Sequence, residues 1–413
     1  MKQISVFCGA LLLGASLVAH AGDKSLRLSA AQSGDLVPSA LFSAKGHGID
    51  LNPSRDAVTF SWAIEEGVDV DFAPEPFRAE SREFWTSVEA GQFQRGVDIV
   101  TTAPSAVIRI SPVGERAEAV DLDGLQVIRQ GRSMGRDEAV QNLADADQLR
   151  HAGAPFPDGT AAFRLSREAG AGAMRLVLPR TRGATLLHVF EPDSSHLMHL
   201  GAERDVVVSG NELRLHGQFR AEGVGRAPSV VQGIVTAPGG RTWPVSFLIG
   251  RNGDFEGTLR VDGMAGGGPG LWEAHVFAAL PGSEGDVLRD SRTAFAVSVP
   301  TARLSGAITH QDAGRDGGLA FDLGVETALA ARYEVRGILV GTDRDGQPVA
   351  VAVGNSAAWL EAGDRSLPLV FSAESIRRDD IGAPYQIRDL RLIRQGDMDL
   401  QERRNLAFAI DRL

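Results

Sequence analysis

His188, His196, Met198 and His199 are the side chains whose types and spacing come nearest to a metal centre. His196-Leu197-Met198-His199 sets two imidazoles beside a soft thioether, which suits copper or zinc, and His188 on the preceding stretch would complete the set. Alternation along a strand works against this, because His196 and His199 would face opposite ways. No cysteine or carboxylate pair stands nearby to finish a tetrahedral zinc. The competing reading is of partly buried histidines with structural partners. In Glu65-Glu66-Gly67-Val68-Asp69-Val70-Asp71, Asp69 and Asp71 fall on one strand face. Such a pair could hold calcium or, with carboxyl groups about 5 to 9.5 Å apart, hydrolyse a glycoside. An exposed acidic strand accounts for the same pattern.

Two further groups carry chemistry. Asp343-x-Asp345-Gly346 resembles the opening of a calcium loop, but Gln347-Pro348-Val349 follows at once, so a hairpin turn is expected. Phe84 and Trp85, in Ser81-Arg82-Glu83-Phe84-Trp85, follow Pro74 and Pro76 in a polar setting. Neighbours in a strand cannot share a face, so one of the two is expected to be an exposed platform for sugar or peptide. Trp62, Trp243, Trp272 and Trp359 sit within apolar strand patterns and read as core anchors. The sequence has no His-Glu-x-x-His and no Gly-x-x-x-x-Gly-Lys phosphate loop.

The elements that would position these residues are mostly short strands. Val58, Phe60, Trp62 and Ile64 alternate as a half-buried strand does, and Val107 to Pro112 is another, stopped by its proline. From Arg136 to Ala152, Val140, Leu143, Ala146 and Leu149 recur every third residue, with Ser133 or Asp137 as a cap and Gly153 as a stop. That spacing predicts a helix over 136–152. Strands resume at 161–165, 174–178 and 185–190, and a boundary falls near Gly201-Ala202-Glu203. Seven strand patterns then fill the next hundred residues, the count of an immunoglobulin-like sandwich, and a second such set follows Pro300. Val231-Gln232-Gly233-Ile234-Val235 and Val335-Arg336-Gly337-Ile338-Leu339 are echoed strands, each leading into a turn. The expected organisation is all-β: an N-terminal β-rich domain with one helix over 22–201, then tandem sandwiches over 202–299 and 300–413.

The first 21 residues read as a secretory signal peptide. Lys2 gives the positive start, Val6 to Val18 the apolar run, and Ala19-His20-Ala21 the small residues before a cut at Gly22. The run is too short for a comfortable membrane span. Cleavage would remove Lys2 and no acid, taking the net charge from −11 to −12, and would remove Cys8, the sole cysteine. A mature chain in an oxidising compartment then has no disulfide and depends on buried area. The acidic balance, with only Lys2, Lys24 and Lys45 among the lysines, leaves no basic stripe for nucleic acid.

Several stretches together resemble an exported bacterial family known as domain of unknown function 4785. They are Ser81-Arg82-Glu83-Phe84-Trp85, Thr102-Ala103-Pro104-Ser105-Ala106-Val107-Ile108-Arg109-Ile110-Ser111-Pro112 and Val189-Phe190-Glu191-Pro192-Asp193-Ser194. Tyr333-x-Val335-x-Gly337-Ile338-Leu339 and Pro384-Tyr385-x-Ile387-x-Asp389-Leu390 are similar to the immunoglobulin-like modules of that family. The resemblance implies a β-rich N-terminal domain followed by sandwiches, and it implies no catalytic residue.

The functional expectation is a periplasmic or extracellular protein that binds a protein or glycan of the cell envelope, without a cofactor, a nucleic-acid partner or a membrane span. Phe84, Trp85, Asp69 and Asp71 are the candidate binding residues, and His188, His196 and His199 the candidate metal ligands. The alternatives are a metal- or carboxylate-dependent hydrolase within residues 22 to about 200, and a purely structural envelope component.

Overall fold

The alternation of apolar and polar residues is realised as sheets packed face to face. The computed structural model describes residues 26–44, 54–72, 76–114, 118–153, 156–268, 270–311, 317–378 and 380–410; the expected leader, 1–21, lies outside them. The described chain is all-β, with four short α-helices and one 3-10 turn. No helix among the described residues is long and apolar enough to cross a membrane.

The first sandwich pairs two sheets. One runs in the order Glu83–Val88, Thr185–Phe190, Val107–Pro112, Ala161–Leu165, Val140–Asp145; the other in the order Val97–Thr101, Gly172–Val177, Gln126–Arg129, Arg132–Gly135. Alternate residues from both meet in one core that includes Phe84, Ile108, Phe163, Val189, Val127 and Leu176. Burial of this kind contributes roughly 1.5–3 kcal/mol per large apolar side chain.

The middle sandwich is one continuous sheet path. Thr242–Ile249 pairs with Val230–Thr236 through residues 242–246 and with Asp254–Arg260 through 247–249, so this strand passes from one layer to the other. Trp272 is 4% exposed in its core and stacks on Trp243 at 5.0 Å. The echoed strands Val230–Thr236 and Ala331–Thr342 each pair with the strand that follows them, as expected from their turns.

Sheet membership does not follow chain order. Leu26–Arg27 pairs with Ala302–Gln311, and Val58–Ala63 with Pro348–Leu360, both in the C-terminal sandwich. Arg78–Ser81 joins the middle sheet beside His196–Ala202. The extreme N-terminal segments thus close sheets laid down by the last third of the chain.

Two expectations are corrected here. The predicted helix over 136–152 is a helix–strand–helix: Arg136–Ala139, then Val140–Asp145, then Ala146–His151. Val140–Asp145 is drawn into the ladder of Ala161–Leu165, a tertiary partner that a three-residue spacing does not reveal. Asp145 is the real N-cap of the second helix; its carboxylate accepts from the Gln148 amide at 2.9 Å, and Gln148 reaches back to the Asp145 amide. Trp62 is no core anchor. It lies on an edge strand, 41% exposed, stacked on Phe60 at 5.5 Å. Trp359 is half-buried, with Arg55 4.2 Å from its ring centre.

Buried arginines sit where the sandwiches meet. Arg394, 2% exposed, holds Asp397 at 2.7 Å and Asp399 at 2.9 Å, and donates to Thr301 Oγ1 at 2.8 Å in the segment that joins the middle and C-terminal sandwiches. Burial pushes the Asp399 carboxyl up from 3.8 to about 6, against the pull of Arg394. A carboxyl raised in this way binds its proton more tightly in the folded state, so it favours folding at low pH and loses that contribution as pH rises through about 6. Asp399→Asn should therefore flatten the fall in stability between pH 4 and 6 by up to about 3 kcal/mol, read by urea denaturation across that range.

At the first junction, Arg289 and Glu191 have fully buried side chains, with Nη2 and Oε2 2.7 Å apart. Glu191 Oε1 also accepts from the Thr102 and Ala103 amides. Removing one partner of such a pair strands a charge in a low-dielectric site. Arg289→Met should cost about 3–5 kcal/mol in urea denaturation, and the Arg289→Met/Glu191→Gln double variant should recover part of it.

Candidate functional site

The sheet that carries Phe84 inward turns Trp85 outward. Phe84 is 2% exposed in the core, so of the two expected platform candidates only Trp85 reaches the surface, where it is half-buried. Across the sheet Trp85 lies opposite His188, and His188 opposite Arg109, which places an indole, an imidazole and a guanidinium in one row on one face. The imidazole stacks on the indole at 4.2 Å. The Arg109 guanidinium lies 4.6 Å from the Trp85 ring centre and 4.1 Å from that of Phe156. His188 Nε2 meets Glu83 Oε2 at 2.8 Å.

A second sheet completes the cluster. Asp290, from Val287–Ser298, is 2% exposed and accepts the Trp85 backbone N–H at 2.9 Å. Two residues on, and therefore on the same face, Arg292 brings its guanidinium to 5.1 Å from the Trp85 ring centre. His275, opposite Arg292 on the neighbouring strand, has Nε2 3.2 Å from Asp290 Oδ2. The site is thus shared by the first and middle sandwiches, and their relative position is fixed by Arg289, three residues from Arg292.

The electrostatics follow from these contacts. The hydrogen bond to His188 holds the Glu83 carboxyl below its usual range of about 4.5, outweighing burial. Burial pulls the Arg109 guanidinium below its usual value; Glu83 opposes that pull and the Arg292 charge adds to it.

The three candidate metal ligands go to different surroundings. His188 is committed to Glu83 and Trp85. His196 gives its carbonyl to Arg289 Nε at 2.9 Å, and its half-buried ring is held below the ordinary histidine range by burial and by the Arg289 charge. His199 faces a groove of about 480 Å³ lined by His216, Arg78 and Gln218 on the middle sheet. Burial lowers the His199 and His216 imidazoles. Among the described residues no group of three or more His, Cys, Asp or Glu side chains gathers to hold a metal.

Asp69 and Asp71 are not on a strand. They lie in the segment after Val58–Ala63, where Val70 and Phe72 pack on Ile338, Val340 and Val353 of the C-terminal sandwich and the two acids alternate outward. The expected alternation is present, but sheet pairing takes it away from the Trp85 face. Asp343 closes a hairpin turn, its Oδ1 accepting from the Asp345 and Gln347 amides at 2.9 and 2.7 Å, with Gly346 at φ +78°.

Arg109, Arg292, Asp290 and Glu83 are the site residues that sequence reasoning missed. Arg109 stood in a quoted strand with an alternation that put it outward, which was a usable signal; Arg292 and Asp290 had none, because their role depends on a contact across some two hundred residues.

The architecture and this junction describe a multidomain β-sandwich protein whose modules are locked by buried arginines. The profile of the DUF4785 N-terminal domain, a domain of unknown function, matches residues 51–191, and that of the DUF4785 C-terminal domain matches 301–411. The chain belongs to the DUF4785 family. It is similar to the crystal structure of a DUF4785 family protein from Legionella pneumophila, at 20% identity and a TM-score of 0.70 over 91% of this chain and 99% of that one. Native alpha-2-macroglobulin of Escherichia coli aligns at 13% identity and a TM-score of 0.30, over 79% of this chain and 20% of that one. The search of curated proteins gives no match.

A depressed carboxyl contributes stability above its unfolded value that is lost as pH falls through its folded value. Glu83→Gln should therefore destabilise the protein by about 1 kcal/mol or less at pH 7, given its partial exposure. The gap from wild type should close as pH falls below about 4.5, in denaturation curves at each pH.

Proposed function

We propose that the protein is exported to the periplasm or beyond and acts there by binding a protein or glycan of the cell envelope, through the face built around Trp85. The positive start, apolar run and Ala19-His20-Ala21 of the leader support export. One observation carries the binding reading: two sheets from different sandwiches converge aromatic and cationic side chains on a single half-buried indole. Such surfaces combine apolar contact area with oriented donors, the composition of energetically dominant interface patches. Binding sites also fall preferentially at domain junctions. Asp69 and Asp71, the acids that a carboxylate-dependent hydrolase would have used, are exposed beside the C-terminal sandwich and take no part in the Trp85 face.

The test compares residues 22–413 with the Trp85→Ala variant for retention on immobilised envelope glycans and envelope proteins, with circular dichroism melts as the fold control. Trp85→Ala should stay folded and lose retention by roughly tenfold or more. Equal retention of the folded variant would place the binding surface elsewhere.

A further inference from the structure

We propose that the Trp85 face recognises the carboxylate of an acidic glycan, held between the guanidiniums of Arg109 and Arg292. This rests on the binding reading of that face and names its ligand class.

Arg109 and Arg292 come from different sheets and both lie against the Trp85 ring, at 4.6 and 5.1 Å from its centre. Two like charges brought to one half-buried ring repel; Glu83 offsets this at Arg109 without coming into ion-pair contact with it. Glu83 is committed to His188 at 2.8 Å, and Asp290 to the Trp85 amide and His275. Arg109 has no carboxylate within ion-pair reach among the described residues. Among the described residues the acid within ion-pair reach of Arg292 is Glu273, at 3.5 Å, and both of those side chains are nearly half exposed. An exposed pair of that kind contributes little.

The donors are also open. Neither guanidinium donates a hydrogen bond to any described residue, although each has five N–H groups. Arg109 lies against two rings, Trp85 and Phe156. Stacking engages the faces of a guanidinium and leaves its in-plane N–H fork free, the geometry that pairs with a carboxylate through two parallel hydrogen bonds. A ligand carboxylate would supply acceptors for both guanidiniums.

The strand edge argues for a glycan over an extended acidic peptide. A peptide adding to Glu83–Val88 would need the main-chain groups along that edge, and Asp290 already takes the Trp85 N–H. What stays accessible is the face of the sheet, where the half-buried Trp85 and Phe156 offer apolar contact to a sugar ring while the arginines hold its carboxylate.

The experiment is calorimetric titration of residues 22–413 with a linear trimer of galacturonic acid, its fully methyl-esterified counterpart and triglutamate. The acidic trimer should bind, weaken with added salt and lose roughly tenfold or more in affinity on Arg292→Met, an exposed change that keeps the fold. Arg109→Lys, which keeps the charge but not the planar fork, should also lose affinity. The ester should bind at least tenfold more weakly than the acid. Absence of binding by the acidic trimer, equal binding of the ester, or no effect of Arg292→Met would overturn the proposal. Tighter binding of triglutamate would overturn it in favour of an acidic peptide. Retention on envelope material that depends on Trp85 while the acidic trimer fails to bind would leave the binding reading standing and remove this one alone.

Discussion

Arg289 is a fully buried cation, and the arrangement of the first two sandwiches depends on what surrounds it. Its guanidinium donates to the His196 and Leu288 carbonyls and to the hydroxyls of Ser194 and Thr102, and lies against Glu191. Burying a charge is tolerable only when it is paired and its N–H groups are satisfied. The socket that meets this demand draws on the turn after Thr185–Phe190, the loop after Val97–Thr101 and the start of His196–Ala202. Those elements meet at one desolvated group, which ties the first two sandwiches together.

This explains the stretches that carry the family resemblance. Thr102-Ala103 and Glu191 through Ser194 are the two walls of the socket. Arg82, from Ser81-Arg82-Glu83-Phe84-Trp85, donates from Nε to the Ser194 carbonyl at 3.0 Å, and its own carbonyl accepts from the Glu191 amide at 3.0 Å. Three segments distant in sequence meet around one guanidinium. Trp85 follows three residues after Arg82, and Arg292 three after Arg289, so the lock that fixes the domains also brings both sides of the candidate site together. Arg394 plays the corresponding part at the second junction, tying Asp397 and Asp399 to the Val299–Thr301 segment.

The long-range pairing of the N-terminal segments has a related consequence. Leu26–Arg27 and Val58–Ala63 complete sheets formed by residues beyond 300, and Leu36 pairs with Arg403. The chain is therefore closed on itself, which is one way for a protein without a disulfide in its described residues to restrain distant modules. Pairings of such sequence separation carry a loop-closure cost that local contacts avoid.

Period-two alternation made the strands legible: Ala161–Leu165 and Thr185–Phe190 fall where the pattern put them, because a half-buried strand must alternate wherever it lies. The same alternation correctly divided Phe84 from Trp85, without telling which of them faced the core. The three-residue spacing over 136–152 misled, since the ladder with Ala161–Leu165 overrode a narrow helical stripe. Trp62 misled because an apolar strand pattern does not say whether a strand is central or at an edge. The sequence by itself determined the all-β class and most strand positions, since these rest on local side-chain periodicity. Only the tertiary structure decided which strands are neighbours, which arginines are buried, and that Arg109 and Arg292 converge on Trp85, because desolvation and charge pairing act between residues that the chain order keeps far apart.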